Sequence, residues 1–495
     1  MTIAVSGNRA AWLTCALTSL VGAVLASPDS PFTHSELCHI DTAWFLDAGR
    51  WLMQGLVPYV DFADSKGPLL WLWYGLGYLL DPTGWSGMFW LYALYYVFVY
   101  RMVWASARLM LGSDRAAAFT VIAMPIAYMA FLHTENRAED LAQLPLAYLI
   151  YLVVKVWSGH SLRRTDLVWA GVSLGAMLFV KWSFPAMLLP LPFIAVAYDA
   201  RAKASGQGRG AVLLLALRQI AWLLVGAMAV GAAVCLWMLL AGALRSMLHE
   251  YFIGTFQTIG NDNGFDIRGL LASMAHTLPH RKWTIIWLLS VPYVSVRLYD
   301  RKGWWLFIAF LYMVLFYFLH YMSYYERVAD TFGLFTPVAF LLLVRGRCPL
   351  RHSWMLAAEA VCVCAFLYVM VRRHHENYGH TPPLAEFRAM TCRIDSLHDP
   401  RILYFDLGDY SLGVKSGALP PCRYWARQCG ATPAMVRDQI DAMRTGRADV
   451  VVTESGDTTP AHYGYRTHPV RDLFPCPYPT QGPFRTWWHP RHSRP

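Results

Sequence analysis

The chain has 495 residues, of which 56% are hydrophobic and 15% are charged, and its formal net charge is +10. Soluble domains usually carry about 25% charged residues, so this composition argues against a soluble protein and indicates a membrane protein. The positive charge fits either nucleic acid or basic cytoplasmic loops, and its distribution between the apolar segments favours the loops. No nucleic-acid partner is therefore expected.

The apolar segments predict a polytopic membrane protein with about eleven transmembrane helices. A helix needs roughly 17–25 apolar residues to cross a bilayer. Hydropathy places spans near residues 12–27, 88–107, 117–132, 141–157, 168–182, 183–199, 220–244, 283–297, 304–320, 331–345 and 353–371. The first, Trp12–Ala26, also has the form of a signal peptide cleaved after Ala26. An uncleaved anchor fits better, because the next span returns across the membrane.

The short segment Pro68–Leu80 decides the topology. It is apolar but too short for an ordinary span, which is typical of an interfacial or re-entrant segment. If it does not span, nearly all short basic loops fall on the cytoplasmic side, as the positive-inside tendency expects. Those loops carry Arg9, Arg108, Arg115, Arg163, Arg164, Arg201, Lys203, Arg209, Arg297, Arg301, Lys302, Arg345, Arg347 and Arg351. We therefore predict a cytoplasmic N-terminus and an extracytoplasmic C-terminus.

The first outer loop, residues 28–87, is predicted to contain two interfacial helices. The first, Asp41–Gly55, is amphipathic, with Asp41 and Arg50 facing water. Four of its apolar residues are expected to face lipid: Trp44, Phe45, Trp51 and Leu52. The second is Gly67–Leu80, with its aromatic side chains at the depth of the lipid headgroups.

The tail, residues 372–495, is predicted to form a small extracytoplasmic α/β domain. Arg401–Leu407 and Ala448–Glu454 have the composition of buried strands. Between them, Thr432 as N-cap and Gly446 as the stop delimit a helix. Four cysteines fall outside the membrane, where disulfides persist: Cys392, Cys422, Cys429 and Cys476. They allow three pairings, and free thiols remain an equal alternative.

Charged residues gather in the outer loops. The first loop has Asp41, Asp64 and Lys66, the second has the sequence HTENRAED, and the loop before the tenth span has YYERVAD. A carboxylate can take a proton from an attacking hydroxyl, and a cation can neutralise a departing phosphate. Acids and cations at the membrane surface therefore suit a substrate that is partly lipid.

Each of these features also has a purely structural interpretation. Asp41 can serve as a helix N-cap, Lys66 as an interfacial anchor, and HTENRAED as an ordinary turn between spans. Lys181, in the sequence FVKWSF, is interpreted as an anchor in a tight turn. The functional interpretation rests on the combination, because separate loops place complementary charges on the same side.

The stretch Asp41–Leu69 resembles family 39 of the membrane GT-C glycosyltransferases. Its pattern is D-x-A-W-F-x-D-A-G-R-x-L-x-x-G-x-x-P-Y-x-D-F-x-x-x-K-G-P-L. This family includes protein O-mannosyltransferases, and the aminoarabinose transferases that modify lipid A are related. Members carry an acid just after the first span and a Lys/His-Gly/Pro-Pro-Leu element before an interfacial helix. A second outer acid, six residues before a proline, is matched by Glu139 and Pro145. The resemblance covers about residues 1–200.

The resemblance implies a GT-C fold and a polyprenyl-phosphate-linked sugar as donor. The fold would comprise a conserved transmembrane module (1–200), variable transmembrane helices (201–371) and the extracytoplasmic α/β domain (372–495). The enzyme would be a glycosyltransferase of a bacterial cytoplasmic (inner) membrane, acting by inverting displacement. Its acceptor would be an envelope lipid, a glycan or a protein.

The resemblance also implies roles for individual residues. Asp41 would be the catalytic base, and Glu139 the second acid, holding the acceptor or the sugar. Lys66 would bind the donor phosphate. The phosphate-binding set is completed by Arg137 and Arg327, and the further substrate-binding candidates are Glu135, Asp140, Asp64, Tyr59 and Tyr325. No metal is required by analogy, with a divalent cation held by Asp41 and Glu139 as the alternative.

The sequence departs from the protein O-mannosyltransferase pattern at two positions. Thr42 stands where those enzymes have the second acid of an Asp-Glu pair, which makes a protein acceptor less favoured. Gly67 replaces one proline of the usual Lys-Pro-Pro-Leu element.

A different class of function is a transporter or flippase of lipid-linked saccharides. Such a protein should show internal inverted repeats and ionisable groups near the membrane midplane, and no clear repeat is present. A polymerase or ligase of surface polysaccharide is a third hypothesis. The long outer loop 245–283 suits any of the three as an acceptor gate.

Overall fold

The computed structural model describes most of the chain. The described residues are 9–27, 30–32, 40–82, 86–129, 138–254, 282–319, 323–347, 361, 364–365, 368, 384–405, 411–426, 432–454, 476–478 and 484–488. They divide into two compact units, each built from discontinuous segments. Unit 1 comprises Met1–Ser30, Trp90–Ala233 and Phe265–Asn377, and unit 2 comprises Pro31–Phe89, Val234–Gly264 and Tyr378–Pro495. The predicted division after residues 200 and 371 is a division along the sequence, and it stays a prediction.

Helices dominate both units. In chain order they are α1 Arg9–Ala26, α2 Ile40–Met53, α3 Pro68–Leu80, α4 Ser86–Leu111, α5 Asp114–Met129, α6 Gln143–Trp157, α7 Arg164–Leu178, α8 Ser183–Leu188, α9 Pro190–Lys203, α10 Arg209–Leu240, α11 Leu244–Met247, α12 Lys282–Tyr299, α13 Gly303–Leu319, α14 Phe335–Arg347, α15 Leu384–Asp395, α16 Ser411–Ser416 and α17 Pro433–Arg444. Short 3₁₀ helices cover Ala138–Ala142, Asp300–Lys302 and Ser323–Leu334, and a π-helix covers Leu248–Gly254. Each predicted span as far as 331–345 overlaps one or two of these helices in its described residues.

Four helical stretches in the described part of the chain are long and apolar enough to cross a membrane. They are Ser86–Leu111, Ala138–Trp157, Ser183–Lys203 and Arg209–Leu240. Shorter apolar helices occur at Arg9–Val24, Pro68–Leu80 and Val328–Leu343. The chain is therefore a helical membrane protein, while the number of eleven spans stays a prediction. The predicted span 353–371 lies outside the described residues, apart from four isolated positions.

Within unit 1, the long helix α10 packs closely on α7 through glycines. A Cβ atom at Gly171 would collide with the carbonyl oxygen of Leu223, and one at Gly226 would collide with that of Val168. Small residues at such crossings let two helix backbones approach, which is how helices associate when lipid removes the hydrophobic driving force between them. The remaining surface of α10 is largely exposed, as expected of a helix that faces lipid.

Within unit 2, helices α2 and α3 pack against each other at a second glycine contact. Helix α3 begins as its sequence predicts, with Pro68 in the first turn and Gly67 as an extended N-cap. A Cβ atom at Gly49 of α2 would meet the backbone of Gly75 in α3. Beside this contact, the rings of Phe45 and Tyr74 meet edge-on with centroids 5.3 Å apart. The two predicted interfacial helices therefore form one packed pair.

The variant Gly49→Ala tests this glycine contact. Alanine gains about 1 kcal/mol of helix propensity over glycine, but the new methyl group would lie 2.6 Å from the carbonyl carbon of Tyr74. Because the backbone of α3 cannot move aside without a large energetic cost, we expect overpacking to cost about 1–3 kcal/mol, which exceeds the gain in helix propensity. We expect a lower apparent melting temperature in detergent. The matched control is Gly210→Ala in α10, where the methyl group meets nothing within 4 Å; an equal response of both variants would contradict the contact.

The predicted strands and helix of the tail form within unit 2. Strands β1 (Ile402–Tyr404) and β2 (Val450–Glu454) pair in parallel, and α17 lies between them in the sequence. Thr432 caps α17 by accepting from the amide of Met435 at 3.4 Å. Strands β3 (Cys476–Tyr478) and β4 (Phe484–Trp488) complete an antiparallel extension, giving the order β1-β2-β4-β3. An independent tail domain stays a prediction, because these residues cluster with the first outer loop in unit 2.

The side chains that helix α2 buries differ from the predicted ones. The expected water-facing residue Arg50 is only 3% exposed, and two residues expected to face lipid, Phe45 and Trp51, are 4% and 2% exposed. The tail covers Arg50 and Trp51, and Phe45 packs on Tyr74 of α3. Arg50 and the indole of Trp51 both donate to the carbonyl oxygen of Ala418, and the Trp51 ring packs edge-on against Trp425. Residues of both predicted faces of α2 therefore contact protein.

Two of the four outer cysteines are free thiols. Cys392 is exposed and Cys422 is buried in the core of the tail, among Leu403, Ile440 and Val451. Burial raises the pKa of the Cys422 thiol, which makes that sulfur unreactive. Cys429 lies outside the described residues, and the side chain of Cys476 is not described.

Candidate functional site

The lysine of the motif, Lys66, lies at the end of a tightly ordered loop in unit 2. Tyr59 turns the chain with a left-handed backbone (φ 63°), and its amide donates to the carbonyl oxygen of Phe62 at 2.7 Å. The Tyr59 side chain is fully buried, with its ring 4.8 Å from that of Trp71. Its hydroxyl donates to the carbonyl oxygen of Lys66 at 2.8 Å. The loop backbone at Lys66 is thus fixed by a hydrogen bond from the buried Tyr59 side chain.

The ammonium group of Lys66 sits between an aromatic ring and a carboxylate. Its Nζ atom is 5.8 Å from the ring centre of Phe45 and 3.7 Å from Oδ2 of Asp64, and it donates to the hydroxyl of Ser65 at 3.2 Å. The side chain is 22% exposed, whereas that of Asp64 is 4% exposed. Asp64 therefore supports Lys66 directly, and its predicted contact with substrate stays a prediction.

Asp41 lies one helical turn from the residue that contacts Lys66. Helix α2 begins at Ile40, so Asp41 is in the first turn of the helix and not at the N-cap position. Residues four apart share one face of a helix, about 6 Å apart along its axis. Asp41 and Phe45 are such a pair, and the Phe45 ring contacts the Lys66 ammonium. Asp41 and the ring that contacts the predicted phosphate ligand therefore lie on the same face of α2.

A buried ion pair between Asp47 and Arg50 lies further along α2, where the tail covers the helix. Asp47 accepts from Arg50 at 2.8 Å, and a Cβ atom at Gly413 would collide with its second oxygen. Burial raises the pKa of Asp47 to about 7, and the neighbouring Arg50 only partly offsets that effect. Because this carboxyl is enclosed by protein, we interpret it as part of the contact between α2 and the tail.

The second acid of the predicted site, Glu139, belongs to unit 1. It lies in the 3₁₀ helix Ala138–Ala142, and its Oε1 atom accepts from Nζ of Lys181 at 2.9 Å. The side chains of Glu139 and Lys181 are 7% and 15% exposed. Lys181 does lie in a turn, between α7 and α8, as predicted. However, sequence reasoning missed its partner, because 42 residues separate the two.

The surroundings of Glu139 are fixed by hydrogen bonds within unit 1. The hydroxyl of Tyr96 donates to Oδ1 of Asp140 at 2.8 Å, and that of Tyr95 donates to the carbonyl oxygen of Leu141 at 2.6 Å. Gln143 accepts from both the amide and the hydroxyl of Thr331, at 3.1 and 2.7 Å. The start of α6 and the segment Ser323–Leu334 are thereby joined, next to two of the predicted outer loops.

The remaining candidates are only partly described. Glu135 and Arg137 lie outside the described residues. Tyr325 and Arg327 lie on the 3₁₀ helix Ser323–Leu334, but their side chains are not described. In the described part of the chain, no group of three or more His, Cys, Asp or Glu side chains could hold a metal ion. The roles of these four residues, and the question of a divalent cation, stay predictions.

Removing Lys181 tests the pair in unit 1. In Lys181→Met the carboxylate of Glu139 would remain buried without its cation. Breaking a fully buried pair costs about 3–5 kcal/mol; because Lys181 retains some exposure, we expect about 1–3 kcal/mol. The measurement is the apparent melting temperature in detergent, with the exposed Lys302→Met of the same unit as the control. Equal stability of the two variants would mean that the ion pair contributes nothing measurable.

Comparison with solved structures shows the fold. Over 99% of this chain and 100% of the other, the structure matches ArnT from Cupriavidus metallidurans in the apo state, with a TM-score of 0.58 and 15% sequence identity. The archaeal oligosaccharyltransferase AglB from Archaeoglobus fulgidus, in complex with an inhibitory peptide and a dolichol-phosphate, matches over 90% of this chain and 69% of its own, at a TM-score of 0.49 and 11% identity. No family model and no curated protein matches the sequence. At these identities the likeness concerns the fold alone.

Proposed function

We propose that this chain, which has the GT-C fold, is a membrane glycosyltransferase that moves a sugar from a polyprenyl phosphate to an extracytoplasmic acceptor. The observation that carries the proposal is the shared face of α2, where Asp41 lies one turn from Phe45 and Phe45 contacts the ammonium of Lys66. A base and a cation at one place suit a reaction that removes a proton and releases a phosphate.

The proposed reaction is a single displacement at the anomeric carbon. The carboxylate of Asp41 takes the proton of the acceptor hydroxyl, whose oxygen forms the new bond to that carbon. The bond between the carbon and the phosphate oxygen breaks, and its electron pair leaves with the polyprenyl phosphate. Lys66 pairs with this phosphate both in the bound donor and in the leaving group. Attack opposite the leaving group inverts the configuration of the sugar.

Other residues have supporting roles in this proposal. Asp64 keeps the Lys66 side chain in place through the 3.7 Å ion pair. Arg327 and Arg137 would add positive charge to the donor phosphate. Glu139, held by Lys181, would bind the acceptor or the sugar. The reaction as proposed needs no metal ion.

The proposed location is a bacterial cytoplasmic membrane, with the site on the outer face. The acceptor is an envelope lipid, a glycan or a protein, and the donor is presented by a lipid that cannot leave the bilayer. A site at headgroup depth fits such a donor, because the phosphate of a lipid carrier lies there. The aromatic rings around Lys66 are of the kind that populate this layer of the membrane.

The test is a donor assay on purified full-length protein in detergent. The protein receives a panel of labelled undecaprenyl-phosphate sugars together with extracted envelope lipids, and loss of sugar from each carrier is followed. Consumption of one donor with release of undecaprenyl phosphate would support the transferase. If donors bind without turnover, but cross the bilayer in proteoliposomes that contain the protein, the flippase hypothesis replaces it.

A further inference from the structure

We propose that residues 423–424 of the tail, together with Glu250, are positioning residues for Lys66. The tail would thus be a working part of the donor-phosphate site. This inference rests on the proposed function, since it concerns the cation that would bind the donor phosphate. Every contact that carries it lies within unit 2.

The first contact joins the tail to the Lys66 loop directly. The carbonyl oxygen of Arg423 accepts from the amide of Ala63 at 2.8 Å. Ala63 lies three residues before Lys66, so this bond fixes the backbone of the loop segment that precedes the lysine. Backbone hydrogen bonds of this kind constrain the path of the chain without regard to the side chain that it carries.

The second contact joins the same tail residues to the segment Leu248–Gly254. Glu250 accepts from Nη2 of Arg423 at 2.9 Å and from the hydroxyl of Tyr424 at 3.0 Å. The side chain of Glu250 is 9% exposed and that of Arg423 is 31% exposed. Charge-assisted bonds at a partly desolvated carboxylate are stronger and more directional than neutral ones. Glu250 therefore sets where residues 423–424 lie.

The third contact joins the segment Leu248–Gly254 to the tyrosine that holds the Lys66 backbone. Tyr251, which follows Glu250, is fully buried with its ring 6.4 Å from that of Tyr59. Tyr59 in turn donates to the carbonyl oxygen of Lys66. The Lys66 loop is therefore held by two sets of contacts. One runs from Ala63 through residue 423 to Glu250, and the other runs from Lys66 through Tyr59 to Tyr251.

The tail residues are themselves anchored to the core of the tail. The amide of Tyr424 donates to Asp438 at 3.3 Å, and its carbonyl oxygen accepts from Gln439 at 2.8 Å. Both partners lie on α17, whose apolar face packs on β1 and β2. The helix α17 and the sheet therefore fix residues 423–424, and these residues fix the Lys66 loop. Binding groups are usually kept in a fixed geometry by such support from regular secondary structure.

The experiment measures the Kd of undecaprenyl phosphate for the full-length protein in nanodiscs, with undecaprenol, which lacks the phosphate, as the reference ligand. Tyr424→Phe and Glu250→Gln are expected to raise the Kd of the phosphate by about threefold to tenfold, the effect of losing roughly one hydrogen bond. Binding of undecaprenol should stay unchanged. The matched control is Tyr404→Phe in β1, which keeps the ring and removes a hydroxyl that accepts from the amide of Gly413, a residue outside the Lys66 loop.

A double-mutant cycle separates positioning from loss of stability. If Glu250 acts through Lys66, Glu250→Gln should have little further effect on the Kd in the Lys66→Met background; independent effects would instead add. Additive effects, or an equal shift in Tyr404→Phe, would overturn the inference. If Lys66→Met itself leaves the Kd unchanged, the phosphate role of Lys66 fails instead. A raised Kd in Lys66→Met with normal Tyr424→Phe and Glu250→Gln would remove the positioning role alone.

Discussion

Replacing Asp41 by asparagine is expected to lower the rate of sugar transfer by at least about 100-fold, because a general base contributes about 10²–10⁴ to a rate. Asparagine keeps the size and polarity of the side chain but cannot accept the proton of the acceptor hydroxyl. The fold should survive, since Asp41 is partly exposed in the first turn of α2. The measurement is the initial rate of transfer from the donor identified by the panel, with donor affinity measured in parallel.

The control for this variant is Asp61→Asn in the same loop. Asp61 is exposed, and its Oδ2 atom accepts from the amide of Val57 at 2.6 Å, a bond that asparagine can also accept. We expect the rate of this control to stay within about twofold of the wild type, as surface changes usually have small effects. Transfer by Asp41→Asn at the rate of Asp61→Asn would remove Asp41 as the base.

Replacing Lys66 by alanine is expected to weaken donor binding more than it slows turnover of bound donor. A hydrogen bond to a charged group contributes about 1.5–3 kcal/mol, which corresponds to roughly a 10–100-fold rise in the Kd of undecaprenyl phosphate. The ammonium is already oriented by Asp64 and by the Phe45 ring, so little ordering is needed when the phosphate binds. Titrations of the donor and of the carrier lipid at two salt concentrations measure the affinity, and the rate of transfer at saturating donor measures the turnover.

Two further variants separate the charge of Lys66 from its packing. Lys66→Met keeps an apolar stem against Phe45 and removes only the charge, so it should resemble the alanine variant. Lys66→Arg keeps the charge and should recover part of the affinity. Normal binding by Lys66→Met would leave the lysine as an interfacial anchor, and failure of Lys66→Arg alone would indicate that the shape of the site excludes a guanidinium.

The local features of the fold follow from short-range rules. Pro68 starts α3 because it fits the first turn of a helix, and Thr432 and Pro433 start α17 for the same kind of reason. The apolar segments form helices because a chain in lipid must satisfy its backbone hydrogen bonds internally. The motif that spans Asp41 and Lys66 is likewise local, which is why the sequence alone could point to both residues.

The partners of buried charges could not be predicted in this way. Arg50 has the spacing of a water-facing residue on an amphipathic helix, yet its guanidinium donates to Ala418, 368 residues further along the chain. The sequence around Lys181 predicts an anchor in a turn, yet the lysine pairs with Glu139, 42 residues earlier. The periodicity of a helix reports that one face is apolar, but it does not report whether lipid or protein covers that face.

The sequence by itself determined that this is a membrane protein with many helices, the approximate position of most apolar helices, and which acid and lysine to test. Only the tertiary structure decided that the tail clusters with the first outer loop. It also decided that Tyr59 and residue 423 hydrogen-bond to the backbone of the Lys66 loop, and that Glu250 bonds residues 423–424. The physical reason is range. Hydropathy and capping act over one or a few turns, whereas the desolvation that forces a buried charge to find a partner depends on whichever distant segment covers it.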